Sequence, residues 1–493
     1  MTILAIDAGT TGVTVLLVDH SAHVISHGYR EFAQHFPENG WVEHDPGEIW
    51  QATLAAARDC LSAAPGHSPI AIGITNQRET AVLWDRETLG SARRAIVWQD
   101  RRTAEICDRL IADGHEPAVR AQTGLRLDPY FTATKLTWIA ENEPNIWSQV
   151  VAGRTAIGTV DSYLIARLTR GLHHVTDASN ASRTLLYDLH TGAWSMQLCE
   201  LFGVPIDALP EIVPSYGVIG NSDPTAFLGL ELPIAGIAGD QQAALFGQAC
   251  FSPGEAKCSY GTGSFILLNT GGTAVESTNG LLTTVAWQHP DGRRDFALEG
   301  SVFVTGSAVQ WLRDGLRIID SAAQIEELAL SVDSSDGVVF VPALTGLGAP
   351  DWDPNARGAI FGLTRASTDA HIARATLEAI AFSVRDVVDL MSSEANTPLP
   401  RLAVDGGAAA NNLLCQLQAT QLQIPVDRSA ELESTGLGAA FLAGLGVGFW
   451  PDTQALSAAW RSSGEFTPNP RDPQDHDRWR TAVSRTLGWM ETS

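Results

Sequence analysis

The chain opens on an apolar run, Thr2-Ile3-Leu4-Ala5-Ile6, breaks at the polar turn Asp7-Ala8-Gly9-Thr10-Thr11-Gly12, and resumes with Val13-Thr14-Val15-Leu16-Leu17-Val18. Two short apolar runs split by a glycine turn predict a β-hairpin. The form recurs about half a chain later, where Ala256-Lys257-Cys258-Ser259-Tyr260 and Ser264-Phe265-Ile266-Leu267-Leu268-Asn269 flank Gly261-Thr262-Gly263. Two like hairpins suggest an internal duplication, with a nucleotide held between the halves. A third glycine turn, Asp405-Gly406-Gly407-Ala408, follows the apolar Leu402-Ala403-Val404 and leads into a helix, where it is placed to receive an adenosine.

Between these markers the pattern alternates. Residues 70–74 and 232–237 read as strands, and 50–61, 103–113, 134–141, 366–391 and 411–422 as helices. Strand and helix in turn predict α/β architecture. Phe251-Ser252-Pro253-Gly254 interrupts the alternation and divides the chain into domains 1–250 and 251–493. No low-complexity linker separates them, so closure is expected from a hinge between packed domains.

With 493 residues, 44% of them hydrophobic, the chain can bury a substantial core. A formal charge of −24 argues against nucleic acid or an anionic membrane surface as partner, since both need clustered cations. Membrane insertion is not expected either: the uncharged run 437–450 is too short and glycine-rich to span a bilayer. No basic-then-apolar leader precedes the first strand, and the six cysteines form no C-x-x-C pair. A cytoplasmic protein with reduced thiols is the expectation. Only Lys135 and Lys257 among the 32 basic residues are lysines.

Candidate chemistry sits at the strand ends. Asp240, in Ala238-Gly239-Asp240-Gln241-Gln242, is a lone carboxylate where a strand feeds a helix, which suits either an N-cap or a catalytic base. Gly9 allows close backbone approach, Thr10 and Thr11 offer donors to phosphate, and Asp7 points a carboxylate at an accompanying cation; the same residues also make an ordinary turn. Arg78 and Glu79 follow strand 70–74 and fit a solvated turn as well as a site. Tyr130 fits a turn aromatic, and Trp98 and Phe265 fit core positions.

Longer motifs decide among these. Gly40-Trp41-Val42-Glu43-His44-Asp45-Pro46, Gly73-Ile74-Thr75-Asn76-Gln77-Arg78-Glu79-Thr80, Ile96-Val97-Trp98-Gln99 with Arg101-Arg102-Thr103, and Asp128-Pro129-Tyr130-Phe131 are joined by Gly158-Thr159-Val160-Asp161, Val175-Thr176-Asp177 with Asn180-Ala181-Ser182-Arg183-Thr184, and Gly348-Ala349-Pro350. With them the chain resembles, over nearly its whole length, the glycerol-phosphorylating branch of the FGGY carbohydrate kinase family, in the actin-like ATPase superfamily. Residues 130–142, with Lys135 and Trp138, and 358–378, with Gly362, His371 and Glu378, also fit the general signatures of that family. The Gln-Arg-Glu-Thr and Gly-Asp-Gln-Gln stretches favour glycerol over other sugars.

The resemblance implies two actin-like (ribonuclease H-like) domains, each a central mixed sheet flanked by helices, with the active site in the cleft between them. It implies phosphorylation of glycerol by ATP with Asp240 as base, and glycerol bound by Arg78, Glu79, Tyr130, Asp240 and Gln241, its carbons resting on Trp98 and Phe265. A site built to bond hydroxyls rejects analogues that lack them by roughly 10⁴-fold. Phosphate contacts fall on Thr10, Thr11, Gly12 and Thr262, with Gly306 and Gln310 nearby, and Gly407 and Asn411 lie toward the adenosine. Asp7 orients a magnesium ion, through water because magnesium dehydrates reluctantly. A homodimer or larger homo-oligomer is implied too. Many relatives carry an arginine where this chain has Thr14, which keeps open a weakly active, glycerol-sensing paralogue; a kinase of another polyol or a pentulose is the other alternative. In relatives inhibited by fructose bisphosphate, a loop before the strand leading to the base ends in an arginine. Here residues 220–233 hold no Lys or Arg, and Glu231 stands about where that arginine would be. No such effector site is expected.

Overall fold

The computed structural model describes residues 1–492. Its first sheet contains β1 (Thr2–Ala8), β2 (Gly12–Val18), β3 (Val24–Glu31), β4 (Pro69–Asn76), β5 (Tyr216–Asn221) and β6 (Pro233–Gly239), in the order β5-β6-β4-β1-β2-β3. Strands β1, β4 and β6 run parallel; β2, β3 and β5 run antiparallel to their neighbours. The second sheet contains β7 (Ala256–Tyr260), β8 (Ser264–Gly271), β9 (Leu282–Gln288), β10 (Arg294–Val302), β11 (Leu402–Asp405), β12 (Val426–Ser429) and β13 (Ser462–Phe466), ordered β9-β10-β8-β7-β11-β12-β13. Here β7, β11 and β12 are the parallel set. Aside from the extra edge strand β9, the two sheets share one plan: a hairpin and its third strand on one side of the first strand, two parallel strands and an antiparallel edge on the other. The duplication read from the two hairpins is present in the topology.

Local sequence explains the elements. Helix α1 (Pro46–Ala63) begins four residues before the apolar periodicity does, because the Asp45 side chain accepts from the backbone N–H of Gly47 (2.7 Å) and Glu48 (3.3 Å), and Pro46 suits the first helical position. It buries Ile49, Trp50, Ala56 and Cys60 against the first sheet. In the second half the long helix α3 (Asp369–Ala395) and α4 (Asn412–Leu422) cover the second sheet, burying Leu377, Ile380, Val384 and Leu414.

A separate core lies between the sheets. Ile3, Ala5 and Leu16 from the first sheet and Leu267, Ala297 and Ala403 from the second share it with two helices, α2 (Asp240–Gly247) and α5 (Ser434–Gly446). Helix α5 comes from the second half of the chain yet packs on α2, β4 and β6. Its sequence, STGLGAAFLAGLG, makes that possible. A Cβ at Gly438 would run into the Ala243 carbonyl, and one at Gly73 of β4 into that of Ala439. Backbones this close tolerate only glycine. All six cysteines are buried and free, and among the described residues no helix is long and apolar enough to cross a membrane.

Candidate active site

In the first sheet Ala8, Asn76 and Gly239 are register partners at the C-terminal ends of the parallel strands. The Gly9–Thr11 turn, Gln77-Arg78-Glu79 and Asp240 therefore leave the sheet at one edge, where open α/β sheets place their ligands.

Asp240 is the first residue of α2, and the cap position belongs to Gly239. Its carboxylate accepts from the Gln241 backbone N–H (2.7 Å) and lies 3.2 Å from Arg78 Nε, so it is ion-paired rather than lone. With 28% of its side chain open, Asp240 is accessible, while Arg78, Glu79, Arg183 and Glu299 beside it are buried. Arg78 and Glu79 are each 2% exposed, which excludes the solvated turn. Arg78 bonds Glu299 bidentately (2.6 and 3.1 Å), Gln242 Oε1 (3.2 Å) and the Tyr130 hydroxyl (3.3 Å). Its four terminal N–H groups thus each meet an acceptor, while Nε is ion-paired with Asp240. Arg183 donates to Glu79 Oε1 (2.7 Å) and to Glu299 Oε1 (2.9 Å), and among the described residues no hydrogen bond reaches Glu79 Oε2. Glu79 holds φ at 60°, a strained conformation of the kind that clusters at functional sites.

Glu299 carries no motif and escapes sequence reasoning. It comes from β10 in the second half, is completely buried, and bridges two arginines of the first half. Burial pushes its carboxyl up, but Arg183 and Arg78 outweigh that and hold it at about 2. Asp240 moves the other way: burial raises it, against the pull of Arg78, the Gln241 N–H and Lys257. Burial likewise raises Tyr130 and Glu79.

The two lysines serve this site. Lys135 Nζ donates to the carbonyls of Pro129 (2.9 Å), Tyr130 (2.5 Å) and Phe131 (3.1 Å), fixing the loop that carries Tyr130; burial lowers it to about 7. Lys257, fully buried, donates to Gln241 Oε1 and to Ser259 Oγ (3.0 Å). It is a second cation beside Asp240 that was not anticipated. Side chains alternate along strands, and Ser259 pairs with Phe265, Phe265 with Ser301 and Leu267 with Glu299. Phe265 therefore shares one sheet face with Lys257, Ser259 and Glu299. Trp98 packs edge-on to Tyr130 (5.6 Å between centroids) and donates its indole N–H to Thr10 Oγ1 (2.9 Å), linking the aromatic surface to the first glycine turn.

The expected nucleotide residues form two groups in the second half. Backbone N–H groups of Thr305, Gly306 and Ser307 bond back to Gly261 and Thr262, so Thr262 and Gly306 adjoin, with Gln310 exposed on the same short helix. Gly407 and Asn411 follow β11, which ends beside β7; Asn411 caps α4 by accepting from Leu414 N–H (2.8 Å), so its oxygen has a structural task. Among the described residues no hydrogen bond joins either group to Thr10, Thr11 or the buried Gly12 of the first half. Asp7 lies across the hairpin from Thr14, and no basic side chain pairs with it among the described residues. Burial, then Asp240 and Glu433, raise its carboxyl. A half-buried, uncompensated carboxylate of this kind fits a divalent cation. Since no described group of three Asp, Glu, His or Cys side chains is arranged to hold one, its remaining ligands would be water and phosphate.

The chain matches the family models of the FGGY family of carbohydrate kinases, N-terminal domain over residues 2–247 and C-terminal domain over 256–447. It is 52% identical over 493 residues to a glycerol kinase of Aromatoleum aromaticum, covering 99% of both chains, and 50% identical to one of Deinococcus radiodurans, covering 100% of this chain and 98% of that one. The crystal structure of Plasmodium falciparum glycerol kinase with ADP superposes with a TM-score of 0.92 at 35% identity, covering 99% of this chain and 98% of that one. Matched by both domain models and half identical to full-length relatives, this chain belongs to the FGGY family of carbohydrate kinases, among its glycerol kinases.

Proposed function

We propose that the enzyme transfers the γ-phosphoryl group of ATP to glycerol, giving sn-glycerol 3-phosphate and ADP, with Asp240 as general base, in glycerol catabolism. The observation that carries this proposal is a partly open carboxylate held by Arg78 at the shared edge of three parallel strands, in a chain half identical to glycerol kinases.

Phosphoryl transfer asks little covalent work of a protein; it needs positioning, charge neutralisation and a proton acceptor. Asp240 takes the proton of the attacking hydroxyl as its oxygen bonds the γ-phosphorus and the bond to the ADP oxygen breaks. Glu79 Oε2 and Gln241 are placed to pair the other hydroxyls, and Trp98 and Phe265 to cover the carbons. Arg78, its terminal donors engaged, orients Asp240 by their ion pair and offers Nε to glycerol. Thr10, Thr11, Gly12 and Thr262, with Gly306 and Gln310, receive the phosphates, and Gly407 and Asn411 the adenosine. Asp7 would hold magnesium through water, and the ion supplies neutralisation of phosphate charge when bound.

Release of ADP on mixing the protein with ATP and glycerol, compared with a panel of other polyols and pentuloses, tests the assignment. Turnover selective for glycerol is expected. No turnover, or preference for a pentulose, would overturn it.

A further inference from the structure

Three side chains from separate segments converge on the first glycine turn. Gln77 Nε2 donates to the Gly9 carbonyl (3.0 Å) and lies 3.2 Å from His44 Nδ1. His44 Nε2 lies 2.7 Å from Gln34 Oε1, and Gln34 Nε2 donates to the Thr10 carbonyl (2.9 Å). Only one assignment satisfies the set. Because Gln77 presents its amide nitrogen to a carbonyl, His44 Nδ1 must accept, so Nε2 carries the proton and donates a hydrogen bond to Oε1 of Gln34, whose own amide nitrogen then faces Thr10. Burial, with His35 adding to it, lowers His44 to about 4, in keeping with a neutral ring.

The remaining groups close a second loop. Gln77 Oε1 accepts from Thr80 Oγ1 (2.8 Å), Thr80 Oγ1 accepts from the Trp98 backbone N–H (3.3 Å), and the Trp98 indole donates to Thr10 Oγ1 (2.9 Å). Gln77 and Thr80 bracket Arg78 and Glu79 in sequence, and Gln77, Thr80 and His44 are all buried. The turn expected to carry the donor phosphates is thereby tied, bond by bond, to the segment expected to carry the acceptor.

We propose that His44 and Gln77 are positioning residues for phosphoryl transfer, fixing the Gly9–Thr10 turn relative to Arg78 and Glu79. The proposal rests on the function assigned above. A network present only to satisfy buried polar groups would, when cut, lower stability and all ligand affinities together. A positioning brace acts on the transfer itself, since displacing reacting groups by about 1 Å costs on the order of 10²-fold in rate.

The test compares His44→Phe, which keeps a ring and removes both bonds, with Gln34→Ala, a half-buried change that removes the bonds to His44 and Thr10 but leaves the Gln77–Gly9 link and the core intact. In the full chain, kcat should fall by about 10- to 100-fold in His44→Phe and severalfold in Gln34→Ala. The glycerol Kd, measured by calorimetry, should stay within about twofold, and the double variant should be no slower than His44→Phe, because either cut opens the same chain. Magnesium-ATP affinity measured without acceptor should weaken in both variants, and this readout stands even if the wild-type protein fails to phosphorylate glycerol. Unchanged kcat and nucleotide affinity in both folded variants would overturn the proposal, as would glycerol affinity lost in step with kcat.

Discussion

Asp240 shows how one residue acquires a task from its neighbours. Near the end of a strand it is an ordinary helix-start aspartate; with Arg78 at 3.2 Å and its own partial exposure it becomes an aimed carboxylate. Asp240→Asn should lower kcat by about 10²–10⁴-fold while nucleotide binding persists, as removal of a general base does; near-normal turnover would remove Asp240 from the mechanism. Because burial raises this carboxyl and a base must be ionised, activity should fall as pH drops through a pKa above the usual carboxylate range. Glu299 gives the opposite sign. Its folded pKa of about 2 lies below the ordinary 4.5, so it contributes stability fully above about pH 4.5, lost as pH falls toward 2. Glu299→Gln should cost about 3–5 kcal/mol at pH 7, the usual effect of breaking a buried pair. Thermal unfolding of the variant should also depend less on pH between 4.5 and 2; an unchanged Tm at pH 7 would show that Gln242 and Tyr130 suffice to hold Arg78.

At the scale of elements, α5 and the 220–233 loop make separate predictions. Gly438 on α5 meets the backbone of α2, the helix that begins with Asp240, at closer than side-chain distance. Gly438→Ala should therefore force the helices apart, costing about 1–3 kcal/mol as overpacking does, and should lower activity because α2 carries the base. A stable, fully active variant would show that the halves slide freely there. The loop contains no cation of its own, and among the described residues the one ion-paired to it, Arg170, faces Asp223 (3.9 Å) and Thr225 (3.5 Å), while Asn221 faces Glu231 (3.4 Å). A bisphosphate would meet carboxylates and a single, already engaged guanidinium instead of a bidentate clamp. Fructose bisphosphate titrated across the millimolar range should leave the rate unchanged; a saturable, salt-resistant loss would reveal an effector site elsewhere.

For the whole molecule, the sequence by itself determined the local elements. Hairpins at 2–18 and 256–271, the strand leading to Asp240 and the main helices all stand within a few residues of their periodicity, because hydrophobic spacing and turn glycines act over short stretches. It also placed Asp240, Arg78, Glu79 and Tyr130 in motifs, and the structure gathers those four. What it left undetermined depends on contacts far apart in the chain. Glu299 lies 221 residues from Arg78, and nothing in the stretch around it marks a bridging carboxylate. Helix α5 reads as one more apolar run, and only packing shows that it belongs between the sheets. His44 reads as one letter of a motif until Gln77 and Gln34 close around it. Period and turn chemistry are properties of neighbours in sequence; ion pairing, close backbone approach and hydrogen-bond direction are decided only when the sheets face each other, where burial removes water as the competing partner.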